Sequence, residues 1–238
     1  MGSLPHDACG FPEAGRVVGA DGQELHPADT HGIVNRNERK TMPRPFALGG
    51  VIASVLLIAI GIGSVVIGLS GRSEVRDNIA AEKIVGTPDM TPELIVQAVR
   101  EAGLEDNENV EVPDCSVADQ PIDSGSKARC FAEFLRVHAL ESTGGQVYSE
   151  MGRFLDENGE QTSDESAAAK DPETGRPVEN GLRNLWVTAT ALSTALNTSY
   201  FAEQVALFST VVGFALILVG IGFLVLTSSL LRRPPEAT

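Results

Sequence analysis

Two long stretches without a single charged residue constrain this chain more than anything else in it. Phe46 to Leu69 (FALGGVIASVLLIAIGIGSVVIGL) is 24 residues long, and Val205 to Leu231 (VALFSTVVGFALILVGIGFLVLTSSLL) is 27. A hydrocarbon core about 30 Å thick takes about 20 helical residues at about 1.5 Å each, so either stretch spans it with some tilt. A buried helix of a soluble core rarely runs that far with no polar face, and the 238-residue chain holds too little else to surround two of them. A cleaved signal sequence fits the first stretch poorly, because its apolar core would be about 7 to 15 residues ending at a small-x-small site. The expected fold class is therefore an all-α membrane protein. Two antiparallel transmembrane helices, 46–69 and 205–231, enclose an inserted helical extracytoplasmic domain, 70–204, and residues 1–45 and 232–238 form cytoplasmic tails.

The orientation rests on the basic residues beside the span ends. Arg36, Arg39, Lys40 and Arg44 precede the first span and Arg232 and Arg233 follow the second, whereas only Arg72 and Arg76 lie at the opposite ends, with Glu203. Six against two favours both termini inside. The formal net charge of −14 is unevenly placed: residues 70–204 hold 11 Lys and Arg against 25 Asp and Glu, a local balance of −14, and the tails cancel. So acidic a domain repels nucleic acid and anionic surfaces. The expected partners are the lipid bilayer and a membrane protein or a second copy of this chain, with no nucleic acid.

Cysteine placement agrees with this orientation. Cys115 and Cys130 fall in the inserted domain, where an oxidising compartment permits a disulfide, and Cys9 falls in the proposed cytoplasmic tail. The alternatives are two small buried thiols or a zinc site, though no CxxC or HxxxH spacing accompanies them. Residues 1–40 are rich in Gly, Pro, His and Asp without apolar periodicity and read as disordered. Met42 opens a compact basic flank, MPRPFALGG, running straight into the span, which suggests translation starting there; His6 stands where a myristoylation signal wants Ser or Thr.

Within the inserted domain, Val75, Ile79 and Ile84 form a narrow apolar set that extends the first helix outward. Thr91-Pro92-Glu93 has the form of a helix start, and a helix is expected over Pro92–Ala102, stopping at Gly103. Residues 104–125 read as a loop holding Cys115, Ser126–Ser142 as a helix bearing Cys130, Phe131, Phe134, Leu135 and His138, and Gln146–Leu155 as a further short helix. Residues 156–181, Pro, Gly and charge with few apolar residues, read as an exposed excursion. From Gly181, Leu182, Leu185, Trp186, Ala189, Leu192, Leu196 and Tyr200 recur at helical spacing and run unbroken into the second span, giving one helix of about 50 residues. Midpoint alignment of the spans puts Gly61 and Gly63 at the depth of Gly213, and Ser54 at that of Gly220 and Gly222, small residues that permit close approach.

Residues for chemistry are few. Of four histidines only His138 lies outside the tail; with Glu141 at i, i+3 it either binds a cation or is an ordinary half-exposed helix histidine. Neither span carries an ionisable residue, which speaks against a proton or ion path within one chain. No phosphate-binding glycine loop, GxSxG turn or CxxC pair occurs, and Asn197-Thr198-Ser199 sits mid-helix, where an N-glycosylation match is a chance one. No catalytic residue, cofactor or metal ligand is expected.

At IAAEKIVGTPDMTP, PDCSVADQPIDSGSKARCF and NLWVTATALSTALNTSYFAEQVALF the chain resembles an uncharacterised family of two-span actinobacterial membrane proteins, over Pro43 to Leu231. Members often bear the name aromatic ring-opening dioxygenase, which implies iron held by two histidines and a carboxylate. Of that set the inserted domain offers one histidine, His138. Three functions are thus in view: a non-enzymatic interaction or accessory subunit, an extracytoplasmic sensor of a ligand or cation working through a separate partner, and an enzyme of the ring-opening type. The first is expected.

Overall fold

The structure is a computed structural model that describes residues 44–231. The expectations for the disordered tail, the Met42 start, Arg36, Arg39, Lys40, Arg232 and Arg233 lie outside those residues, and Arg44 enters only as the first backbone position of a helix.

The described chain is mostly helical. In order come α1 (Arg44–Ala81), α2 (Pro92–Glu101), α3 (Gly125–Ser142), the two-residue strands β1 (Phe154–Leu155) and β2 (Gln161–Thr162), and α4 (Gly181–Leu231). Two of the helices, α1 and α4, are long and apolar enough to cross a membrane. Their large side chains face outward over the apolar stretches: Ile67 is 70% exposed, Phe208 69% and Leu218 70%.

The two long helices run antiparallel and meet through small residues. Ala47, Ser54, Gly61 and Gly68 recur every seven positions on α1, and Ala206, Gly213, Gly220 and Thr227 recur every seven on α4; all but Thr227 are buried. A seven-residue repeat keeps one seam of a helix facing its neighbour along its whole length. The approach is backbone to backbone: a β-carbon on Gly61 would lie 2.7 Å from the Gly213 carbonyl oxygen, and one on Gly68 would lie 2.6 Å from that of Ala206. Ser54 is fully buried, donating to the Gly50 carbonyl at 2.7 Å. Ser209 donates across the seam to Ser64 O at 3.1 Å. Gly63 and Gly222 have open space where a β-carbon would stand, so these two lie off the contact, one helical face away from the seam that midpoint alignment placed them on.

The domain between them packs on both long helices. Ile79 of α1, Ile95 and Val99 of α2, Phe131, Phe134 and Val137 of α3 and Leu196 of α4 form one buried cluster with Met90, Val117 and Ile122 from the connecting segments. Helix α2 starts as expected from its residues: Thr91 is extended, its Oγ1 accepts from the Leu94 N–H at 3.3 Å, and Pro92 supplies the first helical position. Gly103, at φ +67°, ends it in the left-handed region. The acidic loop after α2 is pinned, with Gly86 N donating to Gln120 O at 3.0 Å and Ile122 N to Ile84 O at 2.9 Å.

Two expectations are corrected. Gln146–Leu155 is not a helix: Glu150 closes a single turn by accepting from Val147 N, and the chain then enters β1. Gly152 instead packs on the β2 backbone, where an added β-carbon would lie 2.7 Å from Thr162 N and 3.0 Å from Gln161 C. Nor are residues 156–181 merely an excursion. Asp156 accepts from the N–H groups of Asn158 and Glu160, turning the chain from β1 into the antiparallel strand β2, and Leu155, Ala169 and Val178 exchange backbone hydrogen bonds. The strict all-α expectation therefore fails over this small hairpin.

Candidate functional site

The most concentrated arrangement of buried charge joins the two long helices to the inserted domain. In α4, residues 184–231 carry one charged residue, Glu203, and it is only 6% exposed. Arg72 and Arg76, one turn apart on α1, donate through Nε to its Oε1 at 2.9 Å and 3.0 Å. Its Oε2 accepts the backbone N–H of Gly125 at 2.7 Å, at the first turn of α3 where unpaired N–H groups favour an anion. Only glycine fits there, since a β-carbon on Gly125 would lie 2.8 Å from Tyr200 Cα. Burial is the largest single influence on the Glu203 carboxyl and pushes its pKa up. The Arg72 hydrogen bond, the Gly125 N–H and the charges of Arg76 and Arg72 together outweigh it and hold the group below the ordinary glutamate range. Both carboxylate oxygens are engaged by these partners, so the arrangement ties three helices to one another. Its components appear in the sequence only as flanking charges, and the signal for the pairing was a lone acid in a long uncharged helix opposite two arginines at i, i+4.

Cys115 and Cys130 are bonded as a disulfide, with Cα atoms 6.1 Å apart, tying the acidic loop to α3. Asp114, Cys115 and Glu133 converge, but the sulfur is committed to the bridge and Glu133 pairs with Arg129 at 2.9 Å, so the trio does not make a metal centre.

His138 sits on α3 between two carboxylates. Its Nδ1 is 3.0 Å from Glu141 Oε2, and its Nε2, buried and without a hydrogen-bond partner, is 3.4 Å from Asp89 Oδ2. A shallow groove of about 190 Å³ between α3 and α4 is lined by Glu133, Arg136, Trp186, Thr190 and Asn197, with the Arg136 guanidinium 5.5 Å from the Trp186 ring centre. At the start of α4, Asn180 is buried; its Oδ1 accepts from Leu182 N at 3.1 Å and its Nδ2 donates to Gly152 O at 2.9 Å.

Compared with family models, curated proteins and solved structures, the chain finds no match.

Proposed function

We propose that this chain is a two-pass integral protein of the cell envelope. Residues 46–69 and 205–231 cross the bilayer, both termini are cytoplasmic, and residues 70–204 stand outside. In this reading it serves as a non-enzymatic interaction or accessory subunit that presents a rigid acidic domain to a membrane protein partner. The observation that carries it is the continuity of α1 and α4, which leave their exposed apolar stretches without a break and enter the packed cluster of the inserted domain. A disulfide at Cys115–Cys130 supports an oxidising side for that domain, and the basic flanks at Arg36, Arg39, Lys40, Arg44, Arg232 and Arg233 support the opposite side for the tails. The resemblance to two-span actinobacterial proteins points the same way.

The test has two arms. Alkaline carbonate washing should leave the chain in the membrane fraction, and protease added to intact cells should cut within residues 156–181; release into the wash overturns the membrane reading. Mild-detergent pull-down should bring down a second protein or a second copy, and monomeric behaviour with nothing attached overturns the interaction role.

The Glu203 junction favours a second reading, a sensor of a ligand or cation. A ligand that shifts α3 moves the Gly125 N–H against a carboxylate held by α1 and α4. Distance measurements between spin labels on the two long helices, with and without candidate cations, separate the readings.

A further inference from the structure

We propose that the outer half of α4 carries a self-association seam, through which two copies of this chain meet side by side at Leu185, Thr188, Leu192 and Ala195. The proposal rests on the two-span reading and names the partner within it.

The seam is the upward continuation of the row that holds α1. Counting back by sevens from Thr227, Gly220, Gly213 and Ala206, the same row of α4 passes through Ser199, Leu192 and Leu185. A second row, through Ser209, continues as Ala202, Ala195 and Thr188. The lower parts of both rows are used: Gly213 and Gly220 pack on α1, and Ser209 bonds to Ser64. Helix α1 ends at Ala81, and Ile79, two residues earlier, joins the same cluster as Leu196. Above that level the rows keep a solvent-facing side. Leu185 is 40% exposed and Leu192 39%, and Thr188 and Ala195 are exposed too. The spacing of these four is three, four, three, the alternation of a helix seam that packs against another helix.

Charge selects the occupant. Residues 184–202 contain no Asp, Glu, Lys or Arg, in a domain whose balance is −14. A basic partner would be drawn to acidic side chains, which this stretch of α4 lacks. An equally acidic partner is repelled everywhere except on a charge-free strip, and a second copy brings an identical strip at the same depth and in the same direction, because the bilayer fixes both. Four seam residues over three helical turns fall short of the roughly 800 Å² per partner of a standard interface, so the contact depends on both copies being confined to one membrane.

The experiment is a cysteine scan of the full-length chain in native membranes, with Cys9→Ser and the Cys115–Cys130 bridge intact. Leu185→Cys, Thr188→Cys, Leu192→Cys and Ala195→Cys should each give, on mild oxidation, a product of twice the chain mass, at least fivefold above Val187→Cys, Thr190→Cys and Thr194→Cys. Adding Leu192→Glu to the Ala195→Cys variant should remove most of that product, with the Cys115–Cys130 bridge retained as the mark of a folded domain. No dimer at the four positions, equal yields on all faces, or products of another mass overturn the seam. None of those outcomes touches carbonate resistance or a heterologous pull-down, so the parent reading fails or stands separately.

Discussion

Glu203 accepts the backbone N–H of Gly125 at 2.7 Å across 78 residues of chain. With Arg72 and Arg76 on its other oxygen, that carboxylate is the point where three helices are held to one another. The two arginines keep roughly half of their side-chain surface in solvent, which lowers the electrostatic cost of gathering them on a buried acid.

Replacing the acid tests this junction. Glu203→Gln keeps an oxygen for the Gly125 N–H and loses the charge pairing, and because the arginines are half-exposed the expected loss is about 1 to 2 kcal/mol, read as a lower melting temperature in detergent at neutral pH. Glu203→Ala also strands the N–H and should cost more.

The same group sets a pH dependence. Its folded pKa is depressed, so its contribution is full above the unfolded value of about 4.3 and disappears as pH falls through the folded value. Melting temperature measured from pH 6 down to pH 3 should fall, and the fall should be smaller in Glu203→Gln.

Span packing is testable by position. Gly61→Leu and Gly213→Leu drive a side chain into the opposite backbone and should destabilise by about 2 kcal/mol or more, whereas Gly63→Leu and Gly222→Leu point into open space and should leave melting nearly unchanged. Equal effects at all four would mean the seam lies elsewhere.

Breaking the Cys115–Cys130 bridge removes a closure of 15 residues, worth about 3 kcal/mol on the chain-entropy account. Cys115→Ser with Cys130→Ser should lower melting by that order. Hydrogen exchange should speed up first in the acidic loop between α2 and α3.

Asn180→Ala withdraws a cap from α4 and a donor from the hairpin at once. The expected cost is about 1 to 2 kcal/mol, with exchange rising over residues 152–162 while the apolar half of α4 stays protected.

The residues themselves determined the elements whose causes are local. Thr91-Pro92 starts α2 and Gly103 stops it, and uninterrupted apolar and helix-forming residues carry α1 and α4 through their full length. The pairing of Cys115 with Cys130 was also within reach, since few sulfurs were available. Tertiary structure alone decided what depends on which face turns inward. Gly61 lies on the seam and Gly63 off it because two residues along a helix turn through about 200°, just over a half-turn, a distinction that depth matching ignores and the seven-residue row contains. Phe154 and Leu155 became a strand because the segments around 161, 169 and 178 supply backbone partners from far along the chain, and short apolar runs take the structure their neighbours complete. The Glu203 cluster showed in the sequence only as a lone acid and two arginines far apart in the chain: charge that would be costly alone became stable only when α1 and the start of α3 arrived to surround it.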